Sequence, residues 1–507
     1  MTQLDIEIDY HDDVELTVNC DRGIASELWD YFSFFPKDYK WMKSFKSGHW
    51  DGKIRLFNTR SHKLFFGLHT HLQKFAEDRE YAFGRTERLE AHFRSISIPK
   101  FDIPRAVEFV RTLKLPFVPY NYQMDTLINA IQQGRSLNIS PTNSGKSLAM
   151  YMMHRLYNKR TLVIVPRVGL VSQLQRHFTE YSQDVPWDAE ENMHLITAGV
   201  EKETDKKIVV STWQSMVKQP AAYLNQFDLF MGDEAHHFDA KSLNTIMKKM
   251  TNVPIKHGFT GTLDGSAVHK LVLEGMFGKA HYPITTKEMM DKGYSTQMEI
   301  KAIQLEYPVE DCKKIKVKEV TAIGKKKTRN RKYPEENDLI CQHEKRNKFV
   351  HNLACSREGN TLVLFRFIEH GKELFSQILD KVEDGRKVFF IDGSVPGKSR
   401  DKIAQIVATE KNAIIVASYG TFSEGVDIPN IHHTIFGFPP GKSRVLILQS
   451  IGRGLRKGID KYLITVYDIG DNFTVGKYAN FHFRHFTDRL ELYLKEQFKV
   501  NVTKVSM

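Results

Sequence analysis

Apolar runs that end abruptly in small or charged residues constrain this chain more than any other feature. TLVIVP at 161–166 is almost continuously apolar, and KKIVVST and FDLFMGDE read the same way. Such runs belong to parallel strands buried on both faces, because no exposed positions alternate through them. Helix-length segments lie between them, as KSLAMYMMHRLY does after the short strand LNIS at 137–140. A second series follows with NTLVLFRF (360–367), RKVFFID (386–392), NAIIVAS (412–418) and HHTIFGF (432–438). Strand–helix alternation of this kind dictates a doubly wound sheet. The expected fold class is α/β, with two tandem doubly wound parallel-sheet domains, a small N-terminal α/β domain and a short C-terminal helical segment. The expected boundaries are 1–100, 101–295, 296–472 and 473–507.

The length of 507 residues, 41% of them hydrophobic, is enough for several cores. At about 100–200 residues per domain it suggests three or four domains. In the N-terminal region, DIEIDY and VELTVNC alternate like strands, and ASELWDYFSFF reads as an amphipathic helix. KIRLF and HKLFFGL are candidates for a hairpin after the turn signal Asp51–Gly52. Near the C-terminus Phe483, Phe486, Leu490, Tyr493, Leu494 and Phe498 recur close to the helical period, which predicts a docking helix.

No apolar run approaches the ~18 residues of a membrane span. The first ten residues are acidic and lack an apolar signal core, which argues against secretion. Cys20, Cys312, Cys341 and Cys355 are scattered with no CxxC pair, so a disulfide framework or zinc ribbon is not expected. A reducing cytoplasm fits.

The formal net charge of +12 favours a polyanionic partner. The surplus is uneven. Residues 1–100 hold 15 Lys/Arg against 16 Asp/Glu, whereas 313–332 hold ten Lys/Arg and the single acid Glu319. That second stretch is expected to be a flexible basic loop in reach of phosphates.

SGKS at 144–147 sits where a strand gives way to a helix. In the loop Pro141–Gly145 the backbone N–H groups of Thr142, Asn143, Ser144 and Gly145, and the helix N-terminus, would hold the phosphates of ATP. Lys146 would reach the β/γ-phosphates, and the Ser147 hydroxyl would bind Mg²⁺. An apolar strand ends in Asp233 and Glu234, 87 residues beyond Lys146 in the case of Asp233. Asp233 would hold Mg²⁺, and Glu234 would orient or deprotonate the attacking water. His236 is a candidate coupling residue near the γ-phosphate, and His237 is unassigned. Upstream, Gln123 could pair with the adenine edge and Tyr120 could stack on the base.

QSIGRGLR (449–456) places Arg453 and Arg456 three apart, on one face of a helix, to stabilise charge on the transferring γ-phosphoryl. Gln449 opens that string, and Gly425 and Asp427 in EGVDIP follow an apolar strand and are expected to sense the nucleotide. Thr260 and Thr262 in FTGT would link ATP state to domain closure.

Taken together these strings resemble the superfamily 2 helicases and translocases. Gln123 corresponds to the Q motif, Ser144–Ser147 to motif I, TLVIVPR to Ia, STWQS (211–215) to Ib and DEAH (233–236) to II. FTGT corresponds to III, TLVLF to IV, EGVD to V and QSIGRGLR to VI, so the likeness covers about residues 118–458. Ser140 and Asn143 depart from it, standing where glycines are common, and the Ser418–Gly425 spacing is one residue long. Within the superfamily the chain most resembles the phage recombination and branch-migration helicases, over nearly its whole length. The resemblance implies two RecA-like domains, ATP and Mg²⁺ as cofactors, and DNA as partner. The DNA would be branched or carry duplex/single-strand junctions, with RNA–DNA hybrids and other phage recombination proteins as further partners. It also implies polymer contacts at Arg167 and Thr212, and an N-terminal DNA-engaging domain for which Trp50 and Lys53 are candidates. Trp213 is better read as core. The alternatives are an RNA helicase, a restriction-type translocase motor, and a clamp that binds ATP without turning it over.

Overall fold

The computed structural model describes residues 4–36, 39–238, 241–320, 326–382, 385–423, 428, 430–456, 458 and 461–507. The chain divides into two compact units, Met1–Ile284 and Thr285–Met507.

The first unit contains two large sheets and a two-stranded ladder of Ser33–Phe34 with Ile54–Arg55. The N-terminal sheet runs Phe57–Asn58, Lys63–Phe65, Glu15–Cys20, Ile6–Tyr10, Phe83–Arg85 in space. Its ladders are antiparallel except where Ile6–Tyr10 meets Phe83–Arg85. The expected hairpin of KIRLF with HKLFFGL forms only in part: Phe57–Asn58 pairs with Lys63–Phe65, while Ile54–Arg55 pairs with Ser33–Phe34. The second sheet has seven strands, all parallel: Met193–Ile196, Ile208–Thr212, Thr161–Val165, Leu229–Gly232, Ile255–Thr260, Arg135–Ile139 and Ala280–His281. Every residue of Thr161–Val165, Ile208–Thr212 and Leu229–Gly232 is buried, as continuous apolar runs require.

The two sheets of this unit are bonded through charge. Asp13, 1% exposed, meets Arg135 at 3.3 Å and His92 at 3.1 Å, and its carbonyl accepts from Lys256 Nζ at 2.6 Å. Arg135 opens the strand that leads into the SGKS loop, and Lys256 lies on the strand that leads into FTGT. The partly exposed His71 also bonds the buried Glu274 at 3.0 Å. At Gly67 a Cβ would lie 2.0 Å from the Glu274 carbonyl, so only glycine allows this approach of backbones.

The second unit is built on a parallel sheet ordered Val388–Ile391, Ile414–Ser418, Thr361–Phe365, His433–Ile435, Leu463–Asn472, Gln297–Glu306, Lys499–Ser506. The C-terminal helix is Phe481–Lys495, and the strand after it joins the sheet edge. Leu494, expected on the docking face, is 69% exposed. The same helix fully buries Arg489 and His482. Arg489 grips the Asp468 carboxylate with Nε and Nη2 at 2.8 and 2.7 Å, a two-point geometry that offsets the cost of burying charge.

The basic stretch 313–332 is not a flexible loop where it is described. Lys316–Val320 and Lys326–Asn330 pair as an antiparallel hairpin. Arg329 ties it to Glu319 at 2.8 Å and to Glu335 at 2.7 Å, so part of the positive charge is neutralised within the chain.

Candidate active site

In the first unit the phosphate loop lies between strand Arg135–Ile139 and helix Lys146–Tyr157. Its two departures from a glycine pattern have separate physical accounts. Asn143 adopts φ +68°, a left-handed conformation that asparagine tolerates better than other residues with a side chain. Ser140 needs no such freedom; its hydroxyl accepts from Ser144 Oγ at 2.9 Å and draws the two ends of the loop together. Gly145 is at φ +84°, where a side chain would also collide with Gln123.

Gln123 is 8% exposed and fully engaged by the chain. Its Oε1 accepts from the Tyr120 N–H and its Nε2 donates to the Ser144 carbonyl, both at 2.9 Å. The amide expected to face adenine therefore braces the phosphate loop here. Tyr120 keeps 39% exposure and stacks near Tyr122, with centroids 5.8 Å apart. Pro141 and Thr142 line the loop half-buried.

Lys146 Nζ lies 3.5 Å from the Pro141 carbonyl, and Gly261 sits beside it. Ser147 Oγ shares a 2.9 Å hydrogen bond with the Tyr181 hydroxyl. Asp233 is pinned by its N–H to the Ile164 carbonyl at 2.9 Å, and its carboxylate accepts from the Glu234 N–H at 2.9 Å. Glu234 takes φ +46°. Burial first, then the charge of Glu234, raise the Asp233 carboxyl above the ordinary carboxylate range. Burial also opposes charge on Glu234, but His236 at 3.3 Å and the Lys146 ammonium outweigh it and hold that carboxyl low. Two neighbouring carboxyls with opposite shifts are the environment in which one base stays ionised.

His236 Nδ1 lies 2.9 Å from Thr260 Oγ1, which donates onward to the Thr262 carbonyl at 3.1 Å. The Thr260 carbonyl in turn accepts from the Ser140 N–H at 2.9 Å. DEAH, FTGT and the phosphate loop are thus bonded into one network. His269, which no sequence motif signalled, braces it from behind: its Nε2 lies 2.9 Å from the His236 carbonyl oxygen.

The donor set fits a nucleotide–Mg²⁺ complex. The loop presents backbone in left-handed turns at a helix start, with a lysine, a hydroxyl and two carboxylates around it. His236 Nε2 is buried and has no hydrogen-bond partner among the described residues, which marks a polar position open to a ligand.

Among the polymer-contact candidates, Arg167 is exposed at the start of helix Val168–Tyr181. Thr212 is 4% exposed, closing a fully buried strand, and so offers no surface to a polymer in this structure. Trp213 packs half-buried against the core, as expected. Trp50 is half-buried and its Nε1 donates to the Lys53 carbonyl at 2.9 Å, so it supports its own turn.

In the second unit, helix Arg444–Gly454 carries Gln449, half-buried, and Arg453 in its last turn. Arg456 lies beyond the helix end, so the two arginines do not share a helical face. The turn is clamped instead. Thr296 Oγ1 donates to the Arg456 carbonyl at 2.9 Å, and Lys461 Nζ to the Gly454 and Arg456 carbonyls at 2.5 and 3.1 Å. Gly425 and Asp427 lie outside the described residues.

Three sequence families match this chain: DNA helicase UvsW, N-terminal, over residues 5–84; type III restriction enzyme, res subunit, over 116–265; and helicase conserved C-terminal domain over 344–458. The ATP-dependent DNA helicase uvsW of Enterobacteria phage T4 is 31% identical over an alignment spanning 99% of this chain and 100% of that protein. The chain belongs to the UvsW family of superfamily 2 helicases. The crystal structure of T4 UvsW agrees at 28% identity and a TM-score of 0.50, covering 99% of this chain and 100% of that one. A DNA 3'-5' translocase, XPB2 of Sulfurisphaera tokodaii, is 24% identical over 66% of this chain and 78% of its own. The restriction-modification enzyme LlaBIII bound to DNA shares the fold, with a TM-score of 0.55 at 16% identity over 78% of this chain and 32% of that one. As a UvsW-family protein the chain is an ATP-dependent DNA helicase, with the tandem RecA-like domains of that class. Among the described residues, no helix is long and apolar enough to cross a membrane.

Proposed function

We propose that this UvsW-family helicase couples ATP hydrolysis to the remodelling of branched DNA: Holliday junctions, forks and R-loops, in recombination, repair and replication. The observation that carries the reading is the bonded network from Ser140 through Thr260 to His236 and Glu234. A nucleotide-dependent change at the phosphate loop has a direct covalent and hydrogen-bonded route to FTGT. Family likeness over the full chain, N-terminal sheet included, favours branched DNA over a plain duplex.

The loop N–H groups of residues 142–145 and Lys146 hold the phosphates, while Tyr120 stacks on the base. Ser147 and Asp233 would hold Mg²⁺, which when bound would supply positive charge to the phosphate oxygens. Ser147 must exchange its bond with Tyr181 to do so. Glu234 orients water and draws its proton as the water oxygen bonds to the γ-phosphorus and the bond to the bridging oxygen of ADP breaks. Arg453 and Arg456 supply charge to the γ-phosphate, an effect on the order of 10³–10⁵ in turnover for arginines of this kind. Contacts to sugar and phosphate, from Arg167 among others, make polymer binding independent of sequence. The host cytoplasm and other phage recombination proteins complete the setting.

ATP hydrolysis is measured with Mg²⁺ alone, then with single-stranded, duplex and four-way-junction DNA and with RNA. Strong stimulation by the junction, abolished in Lys146→Ala, is expected. Stimulation by RNA alone would move the chain to the RNA helicases, and no turnover with any polymer would favour an ATP-switched clamp.

A further inference from the structure

Helix Arg444–Gly454 carries Arg453 in its last turn, and Arg456 lies just beyond its end. The last carbonyls of a helix have no intrahelical donor and must find one elsewhere. Here three consecutive carbonyls are taken by two residues from outside the helix. Lys461 Nζ donates to the Gly454 carbonyl at 2.5 Å and to the Arg456 carbonyl at 3.1 Å. The Thr296 N–H donates to the Leu455 carbonyl at 3.0 Å, and Thr296 Oγ1 to the Arg456 carbonyl at 2.9 Å. The Arg456 carbonyl therefore accepts from both residues, one for each lone pair. The helix end is also seated tightly. A Cβ on Gly454 would lie 2.1 Å from Ile464 Cδ1, so the backbone there rests on strand Leu463–Asn472.

Lysine is costly in such a place. Lys461 is 5% exposed, whereas lysines as a class stay in water. Burial first, then the neighbouring Arg456 charge, press its ammonium down to about 7. The carbonyl dipoles of a helix C-terminus, the end that favours a cation, offset part of that cost. An apolar side chain would fill the same space without it, but could not hold the two carbonyls.

We propose that Lys461 is a positioning residue for ATP hydrolysis: by holding the Gly454 and Arg456 carbonyls it fixes, with Thr296, the backbone from which Arg456 reaches the γ-phosphate. The proposal rests on the reading that Arg456 supplies charge to that phosphate. Lys461 stands five residues past Arg456, outside the QSIGRGLR string, and acts only through the arginine. Its work is to hold a backbone that would otherwise be free to move once the helix ladder ends. An arginine stabilises the transferring phosphoryl only from the right place, and a displacement of ~1 Å can cost on the order of 10²-fold in rate.

The test uses the full chain and its Lys461→Met, Thr296→Val and Arg456→Ala variants, with each of the first two also combined with Arg456→Ala. ATP hydrolysis at saturating DNA gives kcat and KM, and a fluorescent ATP analogue gives nucleotide affinity. Lys461→Met keeps the length of the side chain without its donors or charge. It is expected to lower kcat roughly ten- to hundred-fold while analogue affinity stays within about two-fold, the pattern of an interaction made only in the transition state. Thr296→Val, which removes one neutral hydrogen bond, should lower kcat about five-fold. In the Arg456→Ala background neither substitution should cost more than about two-fold further, because no Arg456 guanidinium is left to position. A Lys461→Met chain that turns over at the parent rate overturns the proposal. So does a loss that recurs in full beside Arg456→Ala, as a purely structural role would give. Should Lys461→Met fail to fold by circular dichroism, the Thr296→Val pair decides by the same criterion. Failure of the arginine reading shows separately, as an Arg456→Ala variant with parent kcat, and removes the positioning role with it.

Discussion

The Arg135 guanidinium lies 3.3 Å from the Asp13 carboxylate in the interior, and this pair joins the N-terminal sheet to the strand that becomes the phosphate loop. Burial would favour a neutral Asp13, but His92, Arg135 and Lys256 together hold its carboxyl below the ordinary value. Asp13→Ala would leave Arg135 and Lys256 buried without their anion. Breaking such a buried pair costs about 3–5 kcal/mol. Urea unfolding of the full chain should show that loss; a change within a few tenths of a kcal/mol would mean that the pair contributes no net stability.

Asn143 offers a sharper local test because its φ is +68°. Glycine should be tolerated there with nucleotide affinity nearly unchanged. Valine, β-branched and strained in the left-handed region by more than the usual ~1–2 kcal/mol, should weaken ATP-analogue binding by roughly ten-fold or more. Titration with a fluorescent nucleotide reads both, and equal affinity of the valine variant would contradict the conformation described.

Thr260 stands between His236 and Thr262. Thr260→Val keeps the shape and removes the hydroxyl. Loss of neutral hydrogen bonds worth ~1 kcal/mol each should change DNA-stimulated ATP hydrolysis by only about five-fold. Strand separation should fall further, since the hydroxyl carries the connection between motifs. Parallel measurement of both rates decides, and proportionate losses would assign Thr260 a structural role alone.

Acid should unfold the chain through its buried imidazoles. Burial pushes His154 and His257 of the first unit and His370 of the second down to about 3. In the unfolded chain each titrates near pH 6.5. Between those values the unfolded state takes up protons that the folded state does not. Their stabilisation is therefore complete above about pH 6.5 and is lost as pH falls toward 3, by up to ~1.4 kcal/mol per pH unit for each histidine. Denaturant midpoints at pH 7, 6 and 5 should fall accordingly. His154→Gln, which keeps a donor for Thr161, should flatten the decline, and a profile unchanged by that substitution would remove His154 from the account.

Much of the nucleotide half-site was legible because its signals are local. A strand, a turn with left-handed positions and a helix occupy consecutive residues, and helix Lys146–Tyr157 follows the loop as read. The FTGT and DEAH strings were recognised singly, but the Thr260–His236 bond needs two strands brought side by side. The arginine turn was misjudged for a related reason. Spacing alone put Arg453 and Arg456 on one helix face, yet the helix ends at Gly454, held there by Lys461 and Thr296 from elsewhere in the unit. The 313–332 stretch looked unstructured by charge, but Arg329 finds Glu335 and the hairpin closes.

The sequence by itself determined the succession of buried strands and covering helices, and the chemistry waiting at the strand ends. Both follow from hydrophobic period and from turn residues, which act over a few positions. Only the tertiary structure decided which charges are buried together and which aromatic rings stay in water. Asp13 and Arg135 are 122 residues apart, and Arg489 meets Asp468 across a helix–sheet contact. Trp41 is left exposed while Trp50 bonds its own turn. A buried ion pair is stable only where packing excludes water and supplies the partner. That condition belongs to the assembled core and leaves no periodic trace in the chain.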